Sequence, residues 1–115
     1  MSFWRHEVVD FALDHETRRQ MEEQRAWIAR EPTNPRPYYQ LAQFYRMNGK
    51  PEEALGLLLE SVRLDEAFAE AHTSLAEMYA VSGDFAAAWR HARAAGRNGM
   101  SQAAEMLTRH GVRES

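Results

Sequence analysis

Apolar side chains return at three- and four-residue steps along most of the chain, the spacing that puts them on one face of a helix. Leu41, Phe44 and Tyr45 form one such stripe, which stops at Gly49. A second stripe follows through Ala54, Leu55, Leu57, Leu58 and Val62. Between them, "NGKP" predicts a helix end and a new start. Asn48-Gly49 supplies a left-handed turn, and Pro51 falls where the first turn of a helix tolerates proline. The pattern then begins again with Leu75, Ala76 and Tyr79, stops at Gly83, and continues past Asp84, a predicted N-cap. Two consecutive helical hairpins are therefore predicted.

The two hairpins are in register at a step of 34 residues. That step carries Leu41 to Leu75, Ala42 to Ala76, Tyr45 to Tyr79, Gly49 to Gly83 and Ala54 to Ala88, with Phe44 and Gln43 answered by Met78 and Glu77. Five identities in one register, with the small, aromatic and glycine positions all aligned, define an internal repeat. Ala54 and Ala88 fall where the two helices of a hairpin cross, and a small residue there lets the backbones approach.

These residues resemble the tetratricopeptide repeat family, whose 34-residue unit has an aromatic at place 4, Leu-Gly/Ala at 7–8, Tyr at 11, Gly at 15, Ala at 20, small or aromatic residues at 24 and 27, and Pro at 32. Residues 35–68 supply Tyr38, Leu41, Ala42, Tyr45, Gly49, Ala54 and Ser61 at those places. Residues 69–102 supply Leu75, Ala76, Tyr79, Gly83, Ala88, Ala92 and Ala95. His72 takes the aromatic place, and Glu66 and Met100 stand where proline is usual. One period earlier, residues 1–34 match with Trp4, Phe11 and Pro32 but miss with Glu7, His15 and Gln20. They are expected to form a degenerate repeat with one helix from about Ser2 and another from about Glu16 to Arg30, a single bent helix being the alternative. The three prolines of "EPTNPRP" are expected to lie outside any helix and close that unit. After "GRNGM", a capping helix is expected over about residues 101–110, with Ser101 as N-cap and Gly111 as C-cap. The expected architecture is all-α: one domain over residues 1–115, an α-solenoid of antiparallel hairpins with about three repeats and a C-terminal cap.

The resemblance implies a function in the concave face lined by the first helix of each repeat, where the family holds peptide segments or helices of other proteins. By resemblance, places 2, 5, 9, 12 and 13 face that groove. They are Arg36, Tyr39, Gln43, Arg46 and Met47 in one repeat and Glu70, Thr73, Glu77, Ala80 and Val81 in the next. In the degenerate unit they are Ser2, Arg5, Val9, Ala12 and Leu13. The family's clamp for a partner's terminal carboxylate needs lysine and asparagine at set places. Tyr39, Thr73, Gln43 and Glu77 occupy them here, so that mode is not expected. The basic amino-terminal half of the groove instead predicts a partner with an acidic residue near Arg36 and Arg46.

Composition narrows the chemistry. The 115 residues carry a formal net charge of −3, so no whole-chain positive field draws the chain to nucleic acid or anionic lipid. A helical-hairpin family that reads RNA base by base needs a basic groove and many units, and this chain has neither. No cysteine is present, which removes disulfides, thiolate metal sites and a cysteine nucleophile. His6, His15, His72, His91 and His110 never recur at three- or four-residue spacing, so no helix face offers a two-histidine metal site; surface or packed histidines are expected. Glu22-Glu23 and Glu52-Glu53 are adjacent and point to different sides of a helix, which suits no shared acid–base site. "GRNGMS" lacks the preceding strand and the Lys-Ser/Thr pair of a phosphate cradle, and no serine lies in a nucleophile elbow. No cofactor and no metal are expected. Arg5, His6, Glu7 and Asp10 interrupt any signal-peptide core, and no apolar run reaches membrane-span length, so a soluble cytoplasmic protein is expected.

The expected function is thus a non-enzymatic module binding a peptide or helical segment of a partner protein, with a catalytic protein as a weak rival. A second possibility is self-assembly. Phe3, Trp4, Val8, Val9, Phe11, Ala12 and Leu13 place apolar side chains on more than one face of the first helix, which calls for burial on several sides. Phe3, Trp4, Val8 and Phe11 are the candidate contacts of a homodimer.

Overall fold

A computed structural model describes the backbone of residues 2–114 and the side chains of residues 14–114. The described residues form six helices and no strand: α1 (Ser2–Arg30), α2 (Pro35–Met47), α3 (Pro51–Leu64), α4 (Ala69–Ser82), α5 (Phe85–Arg97) and α6 (Gln102–Arg109). α2 pairs with α3 and α4 with α5, so both full repeats are the expected hairpins, and α6 closes against α4 and α5.

Four of the helix ends are built the same way. Gly49, Gly83, Gly99 and Gly111 all have positive φ, between 71° and 95°. At each, two backbone bonds close the helix end, as in Lys50 N to Tyr45 O at 2.9 Å and Gly49 N to Arg46 O at 3.1 Å, matched by Asp84 to Tyr79 and Gly83 to Ala80. The next helix then starts on a first-turn proline, Pro51, or on Asp84, whose carboxylate accepts the Ala87 N–H at 3.1 Å. Ser101 occupies the expected N-cap position of α6, but its hydroxyl donates to Glu105 Oε1 at 3.0 Å and caps nothing.

Two expectations need correction. Residues 2–30 form one helix, not two. His15 stands where the left-handed glycine should be, so nothing stops the helix. Asp14–Arg18 and Glu16–Arg19 ion pairs, at four- and three-residue spacing, bridge the place where a break was expected. Arg19 also meets Glu23 at 2.6 Å, and its guanidinium holds the Glu16 carboxyl below the usual range. Second, Pro35 and Pro37 lie inside α2. Both sit in the first turn, where no backbone N–H has an intrahelical partner to lose, and Asn34 caps that turn by accepting the Arg36 N–H at 3.0 Å.

Among the described residues the core is two clusters that meet along α4. Ala42, Ala54, Leu58, Phe68, Ala71 and Leu75 form the first, and Ala76, Ala88, Trp89, Ala92, Ala103 and Leu107 the second. Tyr79 packs against both. Ala54 and Ala88 are fully buried, as a helix crossing requires. Small polar groups fasten the layers. The fully buried Ser61 donates to the Pro35 carbonyl at 3.0 Å, tying α3 to the start of α2. Tyr38 donates its hydroxyl to the Pro32 carbonyl at 2.8 Å, and His72 Nε2 meets the Glu66 carbonyl at the same 2.8 Å. Since Pro32 and Glu66 are one period apart, the histidine replaces the aromatic of its place without losing the polar contact. Beyond α6 the chain returns over α5, where Trp89 Nε1 donates to the Val112 carbonyl at 3.2 Å and Arg93 pairs with Glu114.

Candidate functional site

α2 and α4 lie side by side as the first helices of successive repeats and carry the residues expected to line the groove. Their charged residues do not stand apart as a basic and an acidic half. Arg36 Nη2 reaches Glu70 Oε2 at 3.1 Å, Gln43 Nε2 donates to Ser74 Oγ at 3.2 Å, and Arg46 Nη2 reaches Glu77 Oε2 at 3.4 Å. Arg46 also donates to Gln43 Oε1 at 3.5 Å, and the Arg36 guanidinium lies 5.0 Å from the centre of the Phe68 ring. Side chains of one repeat thus answer those of the next in a ladder across the seam. Each rung is partly solvated, so each ion pair contributes at most about 1 kcal/mol. The ladder sets register more than it adds stability.

The remaining groove candidates divide. Tyr39 turns its ring edge-on to Phe68, 5.4 Å between centres at 86°, and packs against the first core cluster. Thr73 is buried rather than groove-facing, because α4 is covered on several sides and the short Thr73 side chain donates its hydroxyl to the Ala69 carbonyl at 3.0 Å. Met47 is 72% exposed at the end of α2. Val81, at the equivalent place of the next repeat, is 91% exposed. Ala80 beside it is half-buried against the second cluster. The side chains of Ser2, Arg5, Val9, Ala12 and Leu13, and of the self-association candidates Phe3, Trp4, Val8 and Phe11, lie outside the described residues.

Glu77, Ala80 and Val81 come together on a cavity of about 760 Å³ between α4, the start of α5 and α6. Its apolar wall adds Phe85, Met106, Leu107 and Val112, and Phe85 is 46% exposed. Glu105, Arg109 and His110 complete the rim. The hollow exists because α6 is short: it covers the second cluster with Ala103 and Leu107 and ends at Arg109, leaving Val81 at the end of α4 exposed. Periodicity alone missed Phe85 and Met106, since neither lies at a groove place of the repeat. One signal was available for Phe85: a large apolar residue directly after the capping Asp84, ahead of the buried alanines, has no core role in the helical pattern.

Two other findings bear on chemistry. His72 and His91, 19 residues apart, meet in the interior with Nδ1 atoms 3.0 Å apart. Burial, then His72 and then Arg90, push His91 down to about 4. Among the described residues no group of three or more histidine, cysteine, aspartate or glutamate side chains is placed to hold a metal ion, and no helix is long and apolar enough to cross a membrane.

Paired helices, stacked at a 34-residue step with a hollow between α4 and α6, define a repeat array of the helical-hairpin class. The family model described as Tetratricopeptide repeat matches residues 14–103, and the chain belongs to that family. A search of curated protein sequences finds no match to the chain. Domains of this family generally mediate protein–protein interaction and are typically non-catalytic.

Proposed function

We propose that the chain is a non-catalytic module that binds a short segment of a partner protein by seating an apolar side chain of that segment in the α4–α6 cavity. The carrying observation is Val81, 91% exposed at the mouth of an apolar hollow together with Phe85. Fixed apolar walls with a few polar rim groups are the usual make-up of a recognition pocket. Burying one valine-sized to phenylalanine-sized anchor contributes about 1.5–3 kcal/mol, enough to focus a weak, exchangeable interaction. An acidic partner residue at Arg36 and Arg46 is the less favoured mode, since Glu70 and Glu77 already occupy those guanidinium groups.

Selection of random displayed peptides on the purified protein tests this. Enriched peptides should share a bulky apolar residue, and Val81→Asp should weaken them tenfold or more while leaving the melting temperature within about 2 °C. Enrichment of acidic peptides, lost on Arg36→Glu/Arg46→Glu and untouched by Val81→Asp, would move the site to the ladder.

A further inference from the structure

The second hairpin contains a pair of ionisable rings that partner binding does not use. His72 on α4 and His91 on α5 are both buried, with ring centres 5.2 Å apart and planes tilted by 30°. Tyr79 stacks on His91 at 5.6 Å, nearly parallel at 9°. The two contacts of His72 fix where the protons sit. Its Nε2 lies 2.8 Å from the Glu66 carbonyl, which can only accept, so Nε2 carries hydrogen. In neutral His72 the Nδ1 atom is then a lone pair. The hydrogen in the 3.0 Å contact between rings therefore belongs to His91 Nδ1. One tautomer of each neutral ring satisfies both contacts.

Acid disturbs that arrangement. A proton added to His91 Nε2 puts a positive ring into the interior beside Arg90. A proton placed on His72 Nδ1 sets two N–H groups head-on across 3.0 Å unless the His91 hydrogen moves to Nε2, and in either case a charged ring is held in the interior. Among the described residues, Tyr79 from α4 and the Glu66 carbonyl from the α3–α4 turn contact the pair, and the outside charge that acts on His91 is Arg90 on α5, a cation.

We propose that the His72–His91 pair is a proton-operated latch on the second hairpin: it fastens α4 to α5 while both rings are neutral, and the hairpin loosens when a proton arrives that the closed form cannot house. The direction follows from linkage. His91 in the folded chain is held at about 4, below its unfolded value of about 6.5. The folded state therefore binds fewer protons than the unfolded state across that window. The latch is fully effective above about pH 6.5 and is lost as the pH falls towards 4, the unfolding equilibrium constant rising by up to about tenfold per pH unit.

The test combines urea unfolding between pH 7.5 and 5.0 with two-bond proton–nitrogen spectra of the imidazoles. The unfolding constant should rise about 30-fold over that range, as one site moving between about 6.5 and about 4 requires. His91→Gln keeps a donor for His72 Nδ1 and does not titrate, and should reduce the rise to under about threefold. At pH 7.5 the wild-type spectra should place hydrogen on Nδ1 of His91 and Nε2 of His72, with the His91 signals still neutral at pH 5.0. A flat wild-type profile, an unchanged pH dependence in His91→Gln, or hydrogen on Nε2 of His91 overturns the proposal. Should His91→Gln fail to fold, the tautomers and titration of the wild-type rings decide it alone.

Discussion

The carbonyl at the first position of each repeat offers a sharp test of how the two units differ. In the first repeat the Pro35 carbonyl accepts from Ser61, 26 residues later on α3. One period on, the Ala69 carbonyl accepts from Thr73, on its own helix, and Ala95 stands where Ser61 stood. Each repeat directs one hydroxyl at the same carbonyl, from α3 in the first and from the carbonyl's own helix in the second. Ser61→Ala removes a buried neutral hydrogen bond but leaves that carbonyl within the first turn of α2, so it should cost about 1 kcal/mol, or about 4 °C in melting temperature. Ala95→Ser should cost more, about 1–3 kcal/mol. Ala95 is fully buried, and the acceptor its hydroxyl needs is already taken by Thr73. Replacing Thr73 by valine frees that acceptor. In the Thr73→Val background, Ala95→Ser should therefore be milder by about 1 kcal/mol, a coupling well above the few tenths by which independent sites depart from additivity. Urea unfolding followed by far-ultraviolet circular dichroism, with equal slopes across the four proteins, measures the cycle. If Ala95→Ser is neutral, or its cost is the same with and without Thr73, the shared-carbonyl account is refuted.

Three further outcomes are expected. Gly83→Ala should lower stability by about 1 kcal/mol, with Gly83→Asn milder, because φ is 86° there and nothing lies within 4 Å of an added Cβ, so the whole cost is backbone strain readable in a melt. Ala54→Trp and Ala88→Trp should each cost about 1–3 kcal/mol or more by overpacking the crossings, and a parental melting curve for both would show that the helices do not cross there. Arg36→Glu sets two carboxylates against each other at the Glu70 rung and should lower stability by up to about 1 kcal/mol at low salt, with recovery in the exchange variant Arg36→Glu/Glu70→Arg; no recovery would mean the rung is not formed in solution.

The hairpins were legible because they rest on local rules that repeat: glycine at the left-handed turn, alanine at the crossing, leucine and tyrosine on the inner face. The same rules foretold where α1 departs from the pattern, since His15 cannot do what Gly49 and Gly83 do, though whether one helix or two resulted depended on ion pairs that spacing alone did not rank. Pro35 and Pro37 were misjudged because proline was treated as excluded from helices, when the exclusion begins only after the first turn. The groove was half legible. Repeat places group Glu77, Ala80 and Val81, which the structure brings together on one cavity, but Thr73 is buried with its hydroxyl on the Ala69 carbonyl. Phe85 and Met106 belong to the wall through the short reach of α6, a property of three helices together. His72 and His91 are in contact through the α4–α5 crossing, which no spacing within a single helix could reveal.

Tyr79 has a consequence for how the chain comes apart. A repeat array behaves as a row of units, each with its own stability and a coupling to its neighbour, and the balance decides whether the row melts unit by unit or at once. Here the first cluster already takes Ala71 and Leu75 from α4, and Tyr79 touches both clusters. Opening the second hairpin would withdraw a wall from the first, so the two units are coupled across the seam. Among the described residues, both clusters draw on the stretch from α2 onward. That stretch should unfold in one transition, with amide exchange in α2 to α5 reporting one opening energy, and a Tyr79→Ala chain should lower that energy while Ala71 and Leu75 keep the repeats joined.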